Sequence, residues 1–385
     1  MHLIWATSDF TIRGQPYPGF PIVLYDSMES AVEVNQFLRH YLLRGVIGSR
    51  GSWPSTGRAL YDYFGFLEAH DLHWADVDRG EEKSLVAAYR DYCLEQVKLA
   101  RRTVRQRLHY VCDFYEYSQK QTWIDRLPFG IEDRTVRREN AGFLAHTDKS
   151  GNTIKVRDVM PRNHRQLPKF LTREQAHALL ACTENPHHRM MTRLGLQTGL
   201  RREEIATFPL AYVFNPDARH GSARNVMVAL DPSDGEGMMT KGGKPRDIWI
   251  SRRLMSDLYR YSVLVRGELA SLSDKAHPTL FLTQDGRPYA NHGKHIEVIV
   301  RKNGLKAGFR THPHMLRHTY ATHMLLALQR DRAAQAVEPL VFVQRQLGHV
   351  SIETTMIYLH LVNSLVDDAV LAYDEELNDL VDTLS

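Results

Sequence analysis

Four separated stretches of this chain hold side chains whose types and spacing could do chemistry on an anion. In "LQTGLRREEIATFPL", Gly199 introduces Arg201, and Glu204 follows one helical turn later. Alone, such a pair is a surface ion pair worth little. In "MMTKGGKPRDIWI", Lys241 precedes a Gly-Gly turn and a strand, and by itself would be a solvated hairpin tip. In "THPHMLRHTYATHML", His314 and Arg317 lie one turn apart just after Pro313. This is a predicted helix start, where unpaired backbone N–H groups can receive an anion. In "LGHVSIETTMIYLHL", His349 follows a glycine and Tyr358 ends a polar-apolar run; either alone could be half-buried packing. His314 and His318 also have the i,i+4 spacing of a helical zinc pair. No carboxylate or cysteine is spaced to complete a tetrahedral site, however, and Arg317 between them repels a cation, so no metal is expected.

Taken together, the order Arg, Lys, His-x-x-Arg, His, Tyr resembles that of the tyrosine recombinases, also called the phage integrase family. The motifs "TGLRREEI", "TKGGKPR", "HPHMLRHTYATHML" and "LGHVSIETTMIY" carry the resemblance, which spans Leu171 to Leu361. It implies a site-specific DNA recombinase or integrase serving a mobile genetic element. Such an enzyme cuts and rejoins strands through a 3′-phosphotyrosine, with neither metal nor ATP and no other cofactor. Tyr358 is then the nucleophile. Its phenol has a pKa near ~10, so it needs neighbouring cations, and its covalent bond conserves the phosphodiester energy.

On the same resemblance Arg201 and Arg317 present forked donors to the two nonbridging phosphate oxygens, a geometry lysine does not copy. His314 hydrogen-bonds an oxygen or takes the tyrosine proton, and Lys241 protonates the departing 5′ oxygen. His349 bonds the phosphate or buttresses the site, Glu204 orients its arginine neighbour, and Thr354 or Thr355 helps to place the tyrosine helix. The partners implied are double-stranded DNA with specific inverted-repeat sites, further copies of the chain (a dimer on one site, a tetramer in the synapse) and accessory proteins. Two other readings are a type IB topoisomerase, which relaxes DNA without site preference, and a DNA-binding regulator whose site is unused.

The elements that must position these residues follow from length and periodicity. With 385 residues the chain exceeds one small core, so two domains are expected. The fold class is mainly α: a helical core-binding domain, then a mainly α catalytic domain with a small antiparallel β-sheet. Residues 1–27, broken by "RGQPYPGFP", read as an irregular arm. Over 28–127 four helical patterns follow, the last carrying Val104, Leu108, Val111, Phe114 and Tyr115 at helical spacing. Arg101, Arg102, Arg105 and Arg107 crowd the start of that helix, against the preference of the helix dipole; such a run reads either as a solvated face or, explaining the placement better, as a phosphate-contacting face.

Residues 128–168 form a basic linker that includes Arg134, Arg137 and Arg138. "FLAHTDKSGNTIKVRDV" within it reads as a hairpin turning at Ser-Gly-Asn. The catalytic domain covers 169–361 and opens on a capping box at Thr172 and Gln175; "NVMVAL" and "RDIWI" are its strands. An insert, "RDRAAQAVEP", lengthens the connection before "VFVQRQLGH". Residues 362–385 read as an acidic amphipathic helix whose apolar stripe buries against its own catalytic domain or, as the resemblance implies, against a neighbouring protomer. Three cysteines without CxxC spacing argue against a disulfide framework or a zinc knuckle. No apolar run is long enough for a bilayer and the start lacks a signal-peptide pattern, so the expected setting is cytoplasmic, on the bacterial nucleoid, with no membrane partner. The net charge of +4 permits DNA binding without establishing it.

Overall fold

In a computed structural model the chain divides into two compact units, Met1–Arg165 and Gln166–Ser385. The residues described are 1–44, 50–135, 153–162, 167–218, 223–330 and 338–362. The arginines expected at 137 and 138, most of the insert after Arg330 and the acidic tail from 363 lie outside them.

The first unit begins with strands, not with an irregular arm. β1 (His2–Trp5) pairs antiparallel with β4 (Pro21–Leu24), and β2 (Thr11–Ile12) with β3 (Gln15–Pro16). The glycines and prolines that read as breakers punctuate these hairpins. Arg13 and Gly14 both have positive φ (52° and 77°), the requirement of a tight primed turn. β4 is then fixed to the helices, because the buried Asn35 amide bonds both the N–H (2.9 Å) and the C=O (2.7 Å) of Val23.

Four helices follow, as expected: α1 (Val32–Arg39), α2 (Trp53–Ala69), α3 (Leu85–Asp91) and α4 (Arg101–Lys120). π-helical turns at His40–Arg44 and Tyr92–Gln96 prolong the first and third. The stripe read on α4 is the heart of the core, since Val104, Leu108, Val111, Phe114 and Tyr115 are all fully buried.

The linker is more regular than expected, and its strand pairs with a segment further back in the chain. β6 (Thr153–Arg157) pairs antiparallel with β5 (Ile131–Thr135), in register from Ile131↔Arg157 to Thr135↔Thr153. Residues 143–149, the partner expected for a tight hairpin, lie outside the described residues, as does the Ser-Gly-Asn turn. The longer-range pairing is anchored by Arg157. It donates to Glu116 (2.8 Å) and Asp113 (2.5 Å) on α4, so this cation of the basic linker is balanced within its own unit.

The second unit opens on the expected capping box: Thr172 Oγ1 accepts from Gln175 N (3.2 Å), and the Gln175 side chain accepts from Thr172 N (3.1 Å). That box starts α5 (Arg173–Cys182), which is followed by α6 (Pro186–Thr198) and the short α7 (Arg202–Ala206). Strands β7 (Asn225–Leu230) and β8 (Arg246–Ser251) form the expected antiparallel pair. α8 (Arg252–Ala270), α9 (Lys294–Lys306), α10 (Pro313–Arg330), α11 (Pro339–Leu347) and helical residues 352–362, here α12, complete it. α10 packs on both α6 and α11, and α11 packs on β8. One apolar cluster lies around α6, α8 and the sheet, and a second joins α10, α11 and α12 through Leu325, Val343, Leu347 and Leu361. The junction of these layers is where the chemistry-bearing residues meet.

Candidate active site

Helix ends build the site. α6 stops at Gly199, which takes a left-handed conformation (φ 68°); a Cβ there would come within 2.6 Å of Tyr320 and 2.7 Å of Leu347. α11 stops the same way at Gly348 (φ 64°), where a Cβ would meet the Arg246 side chain at 2.6 Å. Only glycine fits both the backbone and the space at these two stops. The chain leaving α6 delivers Arg201, and the chain leaving α11 delivers His349.

Between the two stops lies Arg317 of α10, with 1% of its surface exposed. Its Nη1 donates to the carbonyl of Gly199 (2.7 Å) and its Nη2 to that of Leu347 (2.6 Å). Both acceptors are helix-terminal carbonyls without partners in their own helices, so one guanidinium joins three helices. Burial, with the charge of Arg201 beside it, pushes Arg317 down to about 9, still protonated at neutral pH.

Glu204, 1% exposed, is the counter-charge. It accepts from Arg201 Nη1 (2.8 Å) and the Arg201 backbone N–H (2.7 Å). It also accepts both terminal nitrogens of Arg246, at 2.7 Å each. Glu204 thus bonds both Arg201 and Arg246, of which the sequence motifs single out only the first. Burial alone would raise the Glu204 carboxyl; the bonds and charge of Arg246, with those of Arg201, outweigh it and hold it at about 2.

A carboxyl depressed on folding contributes stability above its unfolded pKa, lost as pH falls through the folded one. For Glu204 that window runs from the ordinary 4.5 down to about 2. The contribution is on the order of 3 kcal/mol. Denaturant unfolding at pH 6 and pH 3 should therefore show a smaller acid loss in Glu204→Gln than in the unaltered protein. Equal losses would mean that the pairs with Arg201 and Arg246 do not survive in solution.

Arg246 also ties the sheet to α11, its Nε donating to the Gln346 carbonyl (3.3 Å). The Gln346 side chain accepts from Trp249 N (2.8 Å) and donates to Trp249 O (3.1 Å), so a glutamine amide continues the edge of β8. Lys241 lies in the exposed turn before β8, followed by Gly242 and Gly243 at φ 75° and 65°. It is close enough for its charge to bear on His314.

The histidines converge on Tyr358, which is 2% exposed on α12. His349 stacks on the tyrosine ring (6.2 Å between centroids, 10° between planes), and its Nδ1 lies 3.0 Å from Thr355 Oγ1. Thr355 therefore links His349 to the tyrosine helix. His318, which sequence reasoning weighed only as a metal partner, lies with Nδ1 2.9 Å from the Tyr358 hydroxyl. His314 packs edge-on against His318, 4.4 Å between ring centroids, at the exposed rim.

Partial burial and then the neighbouring basic groups lower all three rings, His314 to about 4 and His318 and His349 to about 3. At neutral pH they are neutral, and Arg201, Arg317 and Lys241 carry the positive charge. Burial raises the Tyr358 phenol, against the opposing pull of Arg317 and Arg201. Among the described residues no group of three or more His, Cys, Asp or Glu side chains is arranged to hold a metal ion.

The residues expected to touch DNA belong to the first unit. Arg101, Arg102 and Arg105 are exposed on the opening turns of α4, and Arg105 donates to the Pro161 carbonyl (3.1 Å). Arg134 lies on β5. Arg107, on the same helix, forms an ion pair with Asp62.

Comparison with known proteins agrees with this geometry. The chain is 27% identical to tyrosine recombinase XerD of Halalkalibacterium halodurans, across 77% of this chain and 93% of that protein. It is 31% identical to tyrosine recombinase XerC of Ralstonia pickettii, across 52% of this chain and 59% of the relative. Its fold is similar to that of XerH recombinase bound to palindromic difH substrate in a post-cleavage complex (TM-score 0.56, 17% identity, 86% of this chain and 82% of that one). It is similar also to the Tn1549 transposon integrase in complex with transposon right end DNA (TM-score 0.55, 16% identity, 85% and 94% covered). No helix among the described residues is long and apolar enough to cross a membrane. The phage integrase family model matches residues 169–364, the span that holds every catalytic candidate above, and the chain belongs to that family, the tyrosine recombinases.

Proposed function

We propose that this site-specific recombinase cuts DNA by attack of the Tyr358 hydroxyl on a phosphodiester, forming a 3′-phosphotyrosine, and rejoins strands by the reverse step. The observation that carries the reading is the convergence on Tyr358 of His318 at its hydroxyl and His349 on its ring, beside Arg201 and an Arg317 fixed between the two helix stops. A scissile phosphate seated there meets the forks of Arg201 and Arg317, which balance charge on its nonbridging oxygens. His314 at the rim and His349 above the tyrosine ring supply N–H donors to the same oxygens. Lys241, on its exposed turn, delivers a proton to the departing 5′ oxygen.

The substrate is duplex DNA carrying a specific inverted-repeat site, bound by two protomers, with two such sites joined in a tetramer. Exchange of this kind suits the movement of a mobile element. Arg101, Arg102 and Arg105 contact phosphates from the first unit, joined by Arg134, Arg137 and Arg138. The direct test maps the tyrosine that remains attached to DNA after denaturation, on the DNA flanking the gene. An adduct on another residue, or relaxation of any plasmid without site preference, would reject the proposal.

Lys241→Ala should cleave normal DNA about 10²-fold more slowly. It should recover on a duplex whose 5′ bridging oxygen is sulfur, because a thiolate leaves without a proton. An equal defect on both substrates would make Lys241 a positioning residue.

A further inference from the structure

Among the described residues, His318 is hydrogen-bonded to the Tyr358 hydroxyl, and the chemistry proposed above leaves it without a task. Its place is set by geometry that a packing role does not demand. It follows Arg317 on α10 and shares a helix face with His314. Its Nδ1 is 2.9 Å from an oxygen carried by a different helix, forty positions on in sequence. The tyrosine ring is thus held from two sides, stacked by His349 and bonded at its tip by His318.

We propose that His318 is a catalytic residue that aims the Tyr358 hydroxyl and takes its proton as the tyrosine attacks. The inference rests on the reading of Tyr358 as nucleophile. With the ring proton on Nε2, the phenol donates to Nδ1. In the forward step the O–H proton passes to Nδ1, the phenol oxygen bonds to phosphorus, and the bond from phosphorus to the 5′ oxygen breaks as that oxygen takes a proton from Lys241. On rejoining, the 5′ hydroxyl returns its proton to Lys241 as it attacks, and the departing phenolate recovers its own from His318. Neither direction needs an added reactant.

The surroundings make this base conditional on substrate. Burial, then the charges of His314, Arg317, His312 and His349, suppress protonation of His318 in the unoccupied protein. A phosphodiester bound against Arg317 brings negative charge beside the permanently charged member of that set. The imidazole therefore gains basicity when DNA arrives, and the tyrosine is not activated before there is a phosphate to attack.

The test uses a nicked duplex that traps the covalent adduct, with the full chain and its His318→Ala and His318→Asn variants. The alanine variant should form adduct ~10²-fold more slowly with unchanged DNA affinity, and added imidazole should restore part of the rate. Asparagine keeps an acceptor near the Nδ1 position without the basicity, so it should be as slow as alanine; if the alanine variant does not fold, it decides alone. Cleavage by either variant within a few-fold of the unaltered protein, or a slow alanine variant unmoved by imidazole, overturns the proposal. Failure of the underlying reading looks different, because Tyr358→Phe would then still become attached to DNA.

Discussion

Tyr358→Phe is expected to bring covalent attachment and strand exchange below detection while DNA binding and folding persist. The ring is buried, stacked on His349 and packed with Leu325, Val343 and Leu347, and all of those contacts survive. The substitution removes one oxygen, whose recorded partner is His318 Nδ1. Losing that hydrogen bond should cost about 1 kcal/mol, too little to unfold a domain of this size. The proposed nucleophile is lost entirely, because the phenylalanine ring carries no hydroxyl. Denaturing electrophoresis after incubation with a nicked site duplex, beside a binding assay on the intact site, separates the two effects. A DNA-linked band from the variant would mean that another side chain attacks.

Arg317→Lys should be costly twice over, in rate and in stability. The buried guanidinium spans the carbonyls of Gly199 and Leu347 and still has N–H hydrogens to offer a phosphate. An ammonium is a single point of charge and does not reach both carbonyls. Cleavage should fall ~10²–10³-fold, and the carbonyl left unpaired should cost about 2 kcal/mol. Arg201→Lys is the useful contrast. Arg201 is more exposed, and Glu204 keeps Arg246 as a partner, so its rate loss should come with little change in the unfolding midpoint. Cleavage near normal in Arg317→Lys would show that the wrong fork was assigned to the phosphate.

Local signals in the sequence carried through to structure. The stripe on α4, the Thr172 capping box and strands β7 and β8 depend on neighbours a few residues away, and each appears where periodicity and turn chemistry place it. The arm and the linker were less legible for the opposite reason. Proline and glycine mark a chain reversal equally well in a coil and in a hairpin. β4 owes its place to Asn35, and β6 is fastened to α4 by Arg157, across forty-four positions to Asp113 and forty-one to Glu116. The site divides the same way. Residues with chemistry of their own stand out in the motifs, whereas Arg246 matters only because Glu204, forty-two positions away, lies opposite it. His318 was visible in the text "HPHMLRHTYATHML", but its partner is on another helix. A search for ligands at i,i+4 spacing could not have found a phenol there.

The Arg157 clasp bears on how salt will act on this protein. A cation that grips DNA drives binding largely by setting free the small ions condensed on the phosphates, and the steepness of the salt dependence counts such cations. Arg157 already has two carboxylate counterions, Asp113 and Glu116, and Arg107 has Asp62. Neither can displace potassium from a phosphate without abandoning its carboxylates. On the proposed phosphate-contacting role of the first unit, the ion-release entropy comes instead from positions with no carboxylate partner among the described residues, such as Arg101 and Arg102.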